Sequence, residues 1–233
     1  MIRKSKILVI AAHPDDEILG CGATMYKLAK RKCNVNVLIL GKGIDSRKNN
    51  FKEKTFFSKQ KDKLIVASKK ANRILGVKNL YHEDFPDNQF DSVSLLKIIK
   101  TVERYINKLN PDTIFTHSIS DLNVDHRKTL EAVITATRTS TNCPVKNIFS
   151  FEIPSSTDWA FNFNKKSFQP NYFMNIENEL KFKLKALKAY KSEMRKYPNS
   201  RSIKNCENIA RTRGSTVGLK AAESFELIRS IEK

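Results

Sequence analysis

One histidine and three carboxylates follow directly on an apolar run in ILVIAAHPDDEILG, residues 7 to 20. Acidic groups this close repel one another, and burying them is costly unless a positive charge sits among them. A second polar cluster, SISDLNVDHRKTLEAV, starts at Ser118, just after a β-branched run ending in His117. Together the two stretches offer His13, Asp15, Asp16, Asp121, Asn123, Asp125 and His126. Imidazole and carboxylate are ligands that suit zinc or another divalent transition metal, so the absent cation reads as a metal. His13 and Asp16, at a strand-to-helix turn, can face one point while Asp15 faces another. His126, from the distant cluster, supplies a third ligand and leaves a coordination position for water, as a catalytic centre needs.

Each residue alone has a plainer reading. An Asp or His after a strand commonly caps a helix or sits in a solvated loop, and Asp15 or Asp16 could cap the helix beginning near Glu17. Glu17 itself suits compensation of the helix dipole. Only the joint occurrence in two loops argues for chemistry.

The elements that must position these loops are legible as alternating patterns. Strands read at Lys6 to Ala12, Asn34 to Leu40, Asn79 to Glu83, Asp112 to His117 and Asn147 to Ile153. Helical candidates lie near residues 17–32, 53–76, 91–109 and 126–139. The alternation predicts an α/β fold, a Rossmann-like, doubly wound, mostly parallel sheet with helices on both faces. Ligands bind such sheets outside the carboxyl ends of the strands, where strand order reverses. If the first and fourth strands are neighbours, both polar clusters open onto one crevice.

After about residue 154 the rhythm changes. An aromatic, polar stretch carries Trp159 and Phe161, for which core packing is the better expectation over stacking on a sugar. YFMNI reads as another strand, followed by a helix from about Glu177 to Lys196 and a terminal part around RTRGSTVGLKAAESFELIRS. With no repeat and no interdomain linker, residues 1–233 are expected to form a single domain, with about 155–233 completing the pocket wall.

The formal net charge of +19 invites a nucleic-acid reading, but the lysines spread over every amphipathic segment as a solvated face. Without helix-turn-helix or zinc-finger spacing, no specific nucleic-acid partner is expected. A basic surface does favour capture of an anionic small molecule. A Rossmann-like nucleotide- or sugar-binding protein without hydrolysis is the alternative, and it predicts a glycine-rich phosphate loop where this chain has His-Pro-Asp-Asp. No run of about 20 apolar residues occurs, so no transmembrane segment is expected. Cys21, Cys33, Cys143 and Cys206 are widely spaced, which suits free thiols and a cytoplasmic location.

The motifs also carry a resemblance. AHPDDE at 12–17 is similar to the first motif of the PIG-L/LmbE-like zinc-dependent N-deacetylases. GIDSR at 43–47 resembles that family's Ser-Arg loop, DLNVDHR at 121–127 its second motif, and RGSTVGLKAAESF at 213–225 its closing segment. Asp87 and Asn88 resemble a family Pro-Asp-Asn segment near the pocket. The resemblance implies a zinc cofactor held by His13, Asp16 and His126, with Asp15 as general base and Arg47 contacting substrate hydroxyl or phosphate groups. It implies hydrolytic removal of an acetyl group from an N-acetylated amino sugar of the N-acetylglucosamine type, free or linked to a nucleotide or lipid. Homo-oligomers are compatible with it.

One position departs from the pattern. Many members have a histidine where this chain has Asn123, a substrate-contact candidate whose amide can donate a hydrogen bond but cannot act as a general acid near neutral pH. Asp15 is then expected to return the proton it took, in preference to His117 or His82. Asp125 is expected to orient a ligand imidazole or to cap the following helix. Arg201 and Arg213 are candidates for anion recognition or for plain surface roles.

Overall fold

Every residue after the first in strand β1 (Lys6–Ala11) is buried, the pattern of a strand covered on both faces. A computed structural model describes residues 5–41, 43, 54–139, 143–161 and 167–232. The alternation along β1 divides the apolar interior in two. Ile7, Val9 and Ala11 join Val35, Val37 and Ile39 of β2 (Asn34–Gly41) in one cluster, under α1 (Asp16–Lys30), α2 (Lys54–Ile74) and α5 (Leu180–Leu187). Leu8, Ile10 and Ala12 join Leu38 and Leu40 in the other, under α3 (Leu95–Leu109) and α4 (Val124–Ala136).

The remaining strands are β3 (Asn79–Phe85), β4 (Thr113–His117), β5 (Asn147–Phe151), β6 (Tyr172–Asn175) and β7 (Ala222–Arg229), and helix α6 spans Ile203–Ser215. Among the described residues seven strands form one sheet in the order β3-β2-β1-β4-β5-β7-β6. The first five pair in parallel, whereas β7 runs antiparallel to β5 and β6. The fold is therefore the expected mostly parallel α/β sheet with helices on both faces. Strand order reverses between β1 and β4, where Val9 faces Phe115 in register. Both polar loops consequently leave neighbouring strands at the same edge.

Helix α1, whose first turn carries Asp16, is braced by the end of the chain. Gly20 lets the Phe151 ring pack against the helix, since a Cβ there would lie 2.3 Å from a ring carbon. Next to it, Cys21 leaves helical geometry (φ −144°, ψ 26°) and frees backbone groups. Glu223 accepts from the Ala23 and Thr24 N–H groups at 3.0 and 2.6 Å, and Lys183 Nζ donates to Leu19 O and to Glu223, both at 2.7 Å. Hydrogen bonds on both members compensate this buried ion pair.

Two expectations for the C-terminal third fail. The helix read from Glu177 to Lys196 stops at Leu187, because the chain turns there to bury Tyr190 against Glu17, its hydroxyl donating to Oε1 at 2.7 Å. Trp159 and Phe161 lie outside the core, 43% and 84% exposed. Trp159 lies within one short 3-10 turn, Asp158–Ala160, and Phe161 directly follows it; only Ala160 of that turn is buried, so no apolar face forms there. Among the described residues no helix is long and apolar enough to cross a membrane.

Candidate metal centre

Asp15 occupies the N-cap position of α1 in a left-handed conformation (φ 102°, ψ −27°), yet its side chain makes no capping hydrogen bond. Its carbonyl begins the helix, accepting from Ile18 and Leu19, while its N–H donates to Glu17 Oε2 at 3.0 Å. The strained turn thus frees the Asp15 carboxylate and directs Asp16 inward. Asp16 Oδ2 accepts the His13 N–H at 2.9 Å and lies 3.4 Å from His13 Nδ1 and 3.2 Å from His126 Nε2. One ligand atom from each of His13, Asp16 and His126 falls within 4.8 Å of the others.

Two overlapping groups meet the same distance criterion: His117, Asp121 and His126, and His13, Asp87 and Asp125. Their bonding separates them from the first. The second nitrogen of His13, Nε2, lies 2.8 Å from Asp125 Oδ2 and 3.1 Å from Asp87 Oδ1. His126 Nδ1 likewise lies 3.0 Å from Asp121 Oδ2. Each imidazole therefore turns one nitrogen toward Asp16 and the other toward an outer carboxylate, hydrogen-bonded in His13 and at ion-pair distance without hydrogen-bond geometry in His126; outer carboxylates of this kind orient ligating histidines. His117 differs, its Nε2 accepting the Ala12 N–H at 2.8 Å and its Nδ1 having no hydrogen-bond partner among the described residues.

The electrostatics follow from burial beside unlike charge. Burial depresses the His13 and His126 imidazoles, but Asp125 and Asp16 raise the first to about 10, while Asp121 and Asp16 raise the second to about 9. Burial works against Asp16 as well, yet His126 and His13 hold its carboxyl well below the usual range. Asp15 moves the other way, pushed well up by burial despite Arg201. The donors fit a divalent ion: two imidazoles, a carboxylate, and buried Asp15 Oδ2 and Asp16 Oδ1 without hydrogen-bond partners among the described residues.

A family model for PIG-L, described as GlcNAc-PI de-N-acetylase, matches residues 8–137, which is more than half of the chain and includes both loops. The chain belongs to the PIG-L family. A curated relative, the uncharacterized deacetylase YaiS of Escherichia coli (strain K12), is 28% identical over 199 residues, covering 82% of this chain and 92% of that protein. The N,N'-diacetylchitobiose deacetylase from Pyrococcus horikoshii superposes with a TM-score of 0.76 at 20% identity, over 97% of this chain and 84% of that one. GalB, the 4-carboxy-2-hydroxymuconate hydratase from Pseudomonas putida KT2440, superposes at 0.71 with 19% identity, over 98% and 99% of the two chains. A shared fold thus spans a deacetylase and a hydratase, and chemistry must be argued from the site.

In this PIG-L chain an open cleft of about 170 Å³ lies over the centre, lined by His13, Asp15, Asp87, Asn123, Glu193 and Arg201 among others. Asn123 reaches the cleft with its amide already engaged. Oδ1 caps α4 by accepting the Asp125 N–H at 2.8 Å, and Nδ2 donates to Asn88 Oδ1 at 2.8 Å. Arg47 lies outside the described residues. Arg213 does not face the cleft, because it forms a two-pronged pair with Glu152 at 2.8 and 2.7 Å. Arg201 does, and so does Glu193, which no local pattern in the sequence signals. Asp121 is also fixed by Ser156 and Thr157, whose hydroxyls donate to its two oxygens.

Proposed function

We propose that this protein is a zinc-dependent N-deacetylase, a hydrolase that removes the acetyl group from an N-acetylated amino sugar or its conjugate. The observation that carries this reading is the convergence of His13, Asp16 and His126, each imidazole facing its own outer carboxylate, beside an Asp15 carboxylate that makes no capping hydrogen bond. His13, Asp16 and His126 would hold zinc or a related divalent ion, which would supply Lewis acidity toward a water and an acetamide carbonyl.

The chain's own groups supply the rest. Asp15 takes the proton of the attacking water and returns it to the leaving nitrogen as the C–N bond breaks, giving acetate and a free amine. Neither His117 nor His82 is placed to act as a second general acid. His117 is held neutral, well below its usual range, by burial and by the neighbouring His126, and its Nε2 is filled by Ala12. His82 meets Ser68 Oγ at 3.2 Å and does not line the cleft. Asn123 keeps a second amide N–H for a substrate oxygen. The contact assigned to Arg47 rests on the family motif alone.

Cleft walls built from carboxylates, amides and the Ser155 and Ser156 hydroxyls suit a hydroxyl-rich ligand. The family description, naming GlcNAc, supports the same substrate class. The free thiols of Cys21, Cys33, Cys143 and Cys206 accord with a reducing, cytoplasmic compartment. Acetate release by the zinc-loaded protein from a panel of N-acetylglucosamine conjugates tests the activity. Asp15→Asn is expected to bind zinc normally and lose about 100-fold or more in rate. Absence of acetate from every conjugate contradicts the activity, and undiminished turnover in Asp15→Asn removes that residue from the base role.

A further inference from the structure

Arg201 stands one residue before the N-cap of α6, and its backbone is held from both sides. Its N–H donates to Asn199 Oδ1 at 2.9 Å and its carbonyl accepts from Arg195 N–H at 3.0 Å. Ser202 then caps α6 by accepting the Asn205 N–H at 3.1 Å, and Asn205 Nδ2 ties back to Ser200 O at 2.9 Å. From this base the side chain enters the cleft, 23% exposed.

Its guanidinium spans two neighbouring carboxylates. One terminal nitrogen lies 3.5 Å from Asp15 Oδ2 and the other 3.8 Å from Asp16 Oδ1. Both oxygens, and Arg201 Nε, are buried without a hydrogen-bond partner among the described residues. Groups of opposite charge therefore face one another just beyond hydrogen-bonding distance. Asp15 foremost, with Asp16 and Glu193, raises the guanidinium above its usual value. Adjacent buried carboxylates repel, and a planar fork is the side chain that can address both at once.

We propose that Arg201 is a positioning residue for Asp15, fixing the Oδ2 side of its carboxylate so that the other oxygen meets the attacking water. The inference rests on the deacetylase reading. It also means that the base, which lies inside the 8–137 family match, is oriented by a residue supplied from outside it. A lysine can replace the charge but not the fork, so the two contributions separate by substitution.

The test compares Arg201→Met and Arg201→Lys with the wild-type zinc enzyme. Arg201→Met is expected to lose about 100-fold in kcat with KM within about threefold, the penalty of a misplaced reacting group. Arg201→Lys should fall between the two, and added guanidinium ion should restore part of the Arg201→Met rate. Zinc affinity, measured by competition titration, should stay equal or tighten by up to about fivefold, because a cation near Asp16 is gone. A loss confined to KM makes Arg201 a substrate contact and overturns the proposal, as do an unchanged kcat or zinc binding weakened tenfold. Wild-type protein that releases no acetate defeats the deacetylase reading, while the zinc titration still judges the Arg201 placement.

Discussion

Asp125 Oδ2 lies 2.8 Å from His13 Nε2, so the second polar loop holds the imidazole of the first. The same carboxylate accepts the N–H groups of Asn88 and Phe90 at 2.6 and 2.8 Å, which ties the loop after β3 into the centre. Removing an outer carboxylate of this kind lowers metal affinity by about 10–100-fold, and the bared N–H groups cost about 1–3 kcal/mol. Asp125→Ala is expected to show both effects, zinc titration reading the first and urea unfolding the second. An unchanged zinc affinity would place Asp125 outside the metal centre.

Glu17 connects stability to the geometry of the base. It is fully buried, and beyond the Asp15 N–H it receives Asn72 Nδ2 at 2.8 Å and the Tyr190 hydroxyl at 2.7 Å. Burial, opposed by the bonds from Tyr190 and Asn72, lifts its carboxyl to about 7. Tyr190→Phe is expected to destabilise the fold by about 1–2 kcal/mol, and Glu17→Ala, which strands three donors, by more. Urea midpoints measure this, and a Tyr190→Phe protein as stable as the wild type contradicts the network.

His82 gives the fold an acid-side dependence away from the metal centre. Burial first, then Lys69 and Lys61, lower its pKa to about 4. An unfolded histidine takes its proton near pH 6.5, so between about 6.5 and 4 protons favour the unfolded chain. The stability that neutral His82 contributes is complete above that window and is lost as pH falls through it. The stability gap between wild type and His82→Gln, followed by urea unfolding from pH 7.5 to 4, is expected to shift against the wild type on acidification. A gap independent of pH contradicts the assignment.

Much of the centre was legible because its residues obey local rules. His13, Asp15 and Asp16 come just after the six-residue β1, His126 sits in the first turn of α4 beyond the loop that leaves β4, and a reversal of strand order is where such segments meet. The C-terminal wall was not legible in the same way. Lysines at helical spacing across 177–196 predicted a continuous helix, whereas the helix ends at Leu187 and the turns beyond it bond Tyr190 to Glu17 and place Glu193 at the cleft. Arg201 lies in a short polar turn whose composition fits a surface role equally well. Its importance comes from contacts with Asp15 and Asp16, far away in sequence. Glu17 read as dipole compensation because it sits in a first helical turn, and only the fold supplies Asn72 and Tyr190 as donors. The Asn123 departure was visible at once, but its double engagement with Asp125 and Asn88 required the packed loops.

The central claim is that two loops distant in sequence grip one divalent ion through His13, Asp16 and His126. An anomalous difference map from zinc-soaked crystals, recorded on both sides of the zinc absorption edge, tests it directly. The expected result is one peak about 2.0–2.2 Å from a nitrogen of each of the two imidazoles and an oxygen of Asp16. A peak seated instead between His117 and Asp121, or between Asp87 and Asp125, or no peak at the centre, contradicts it.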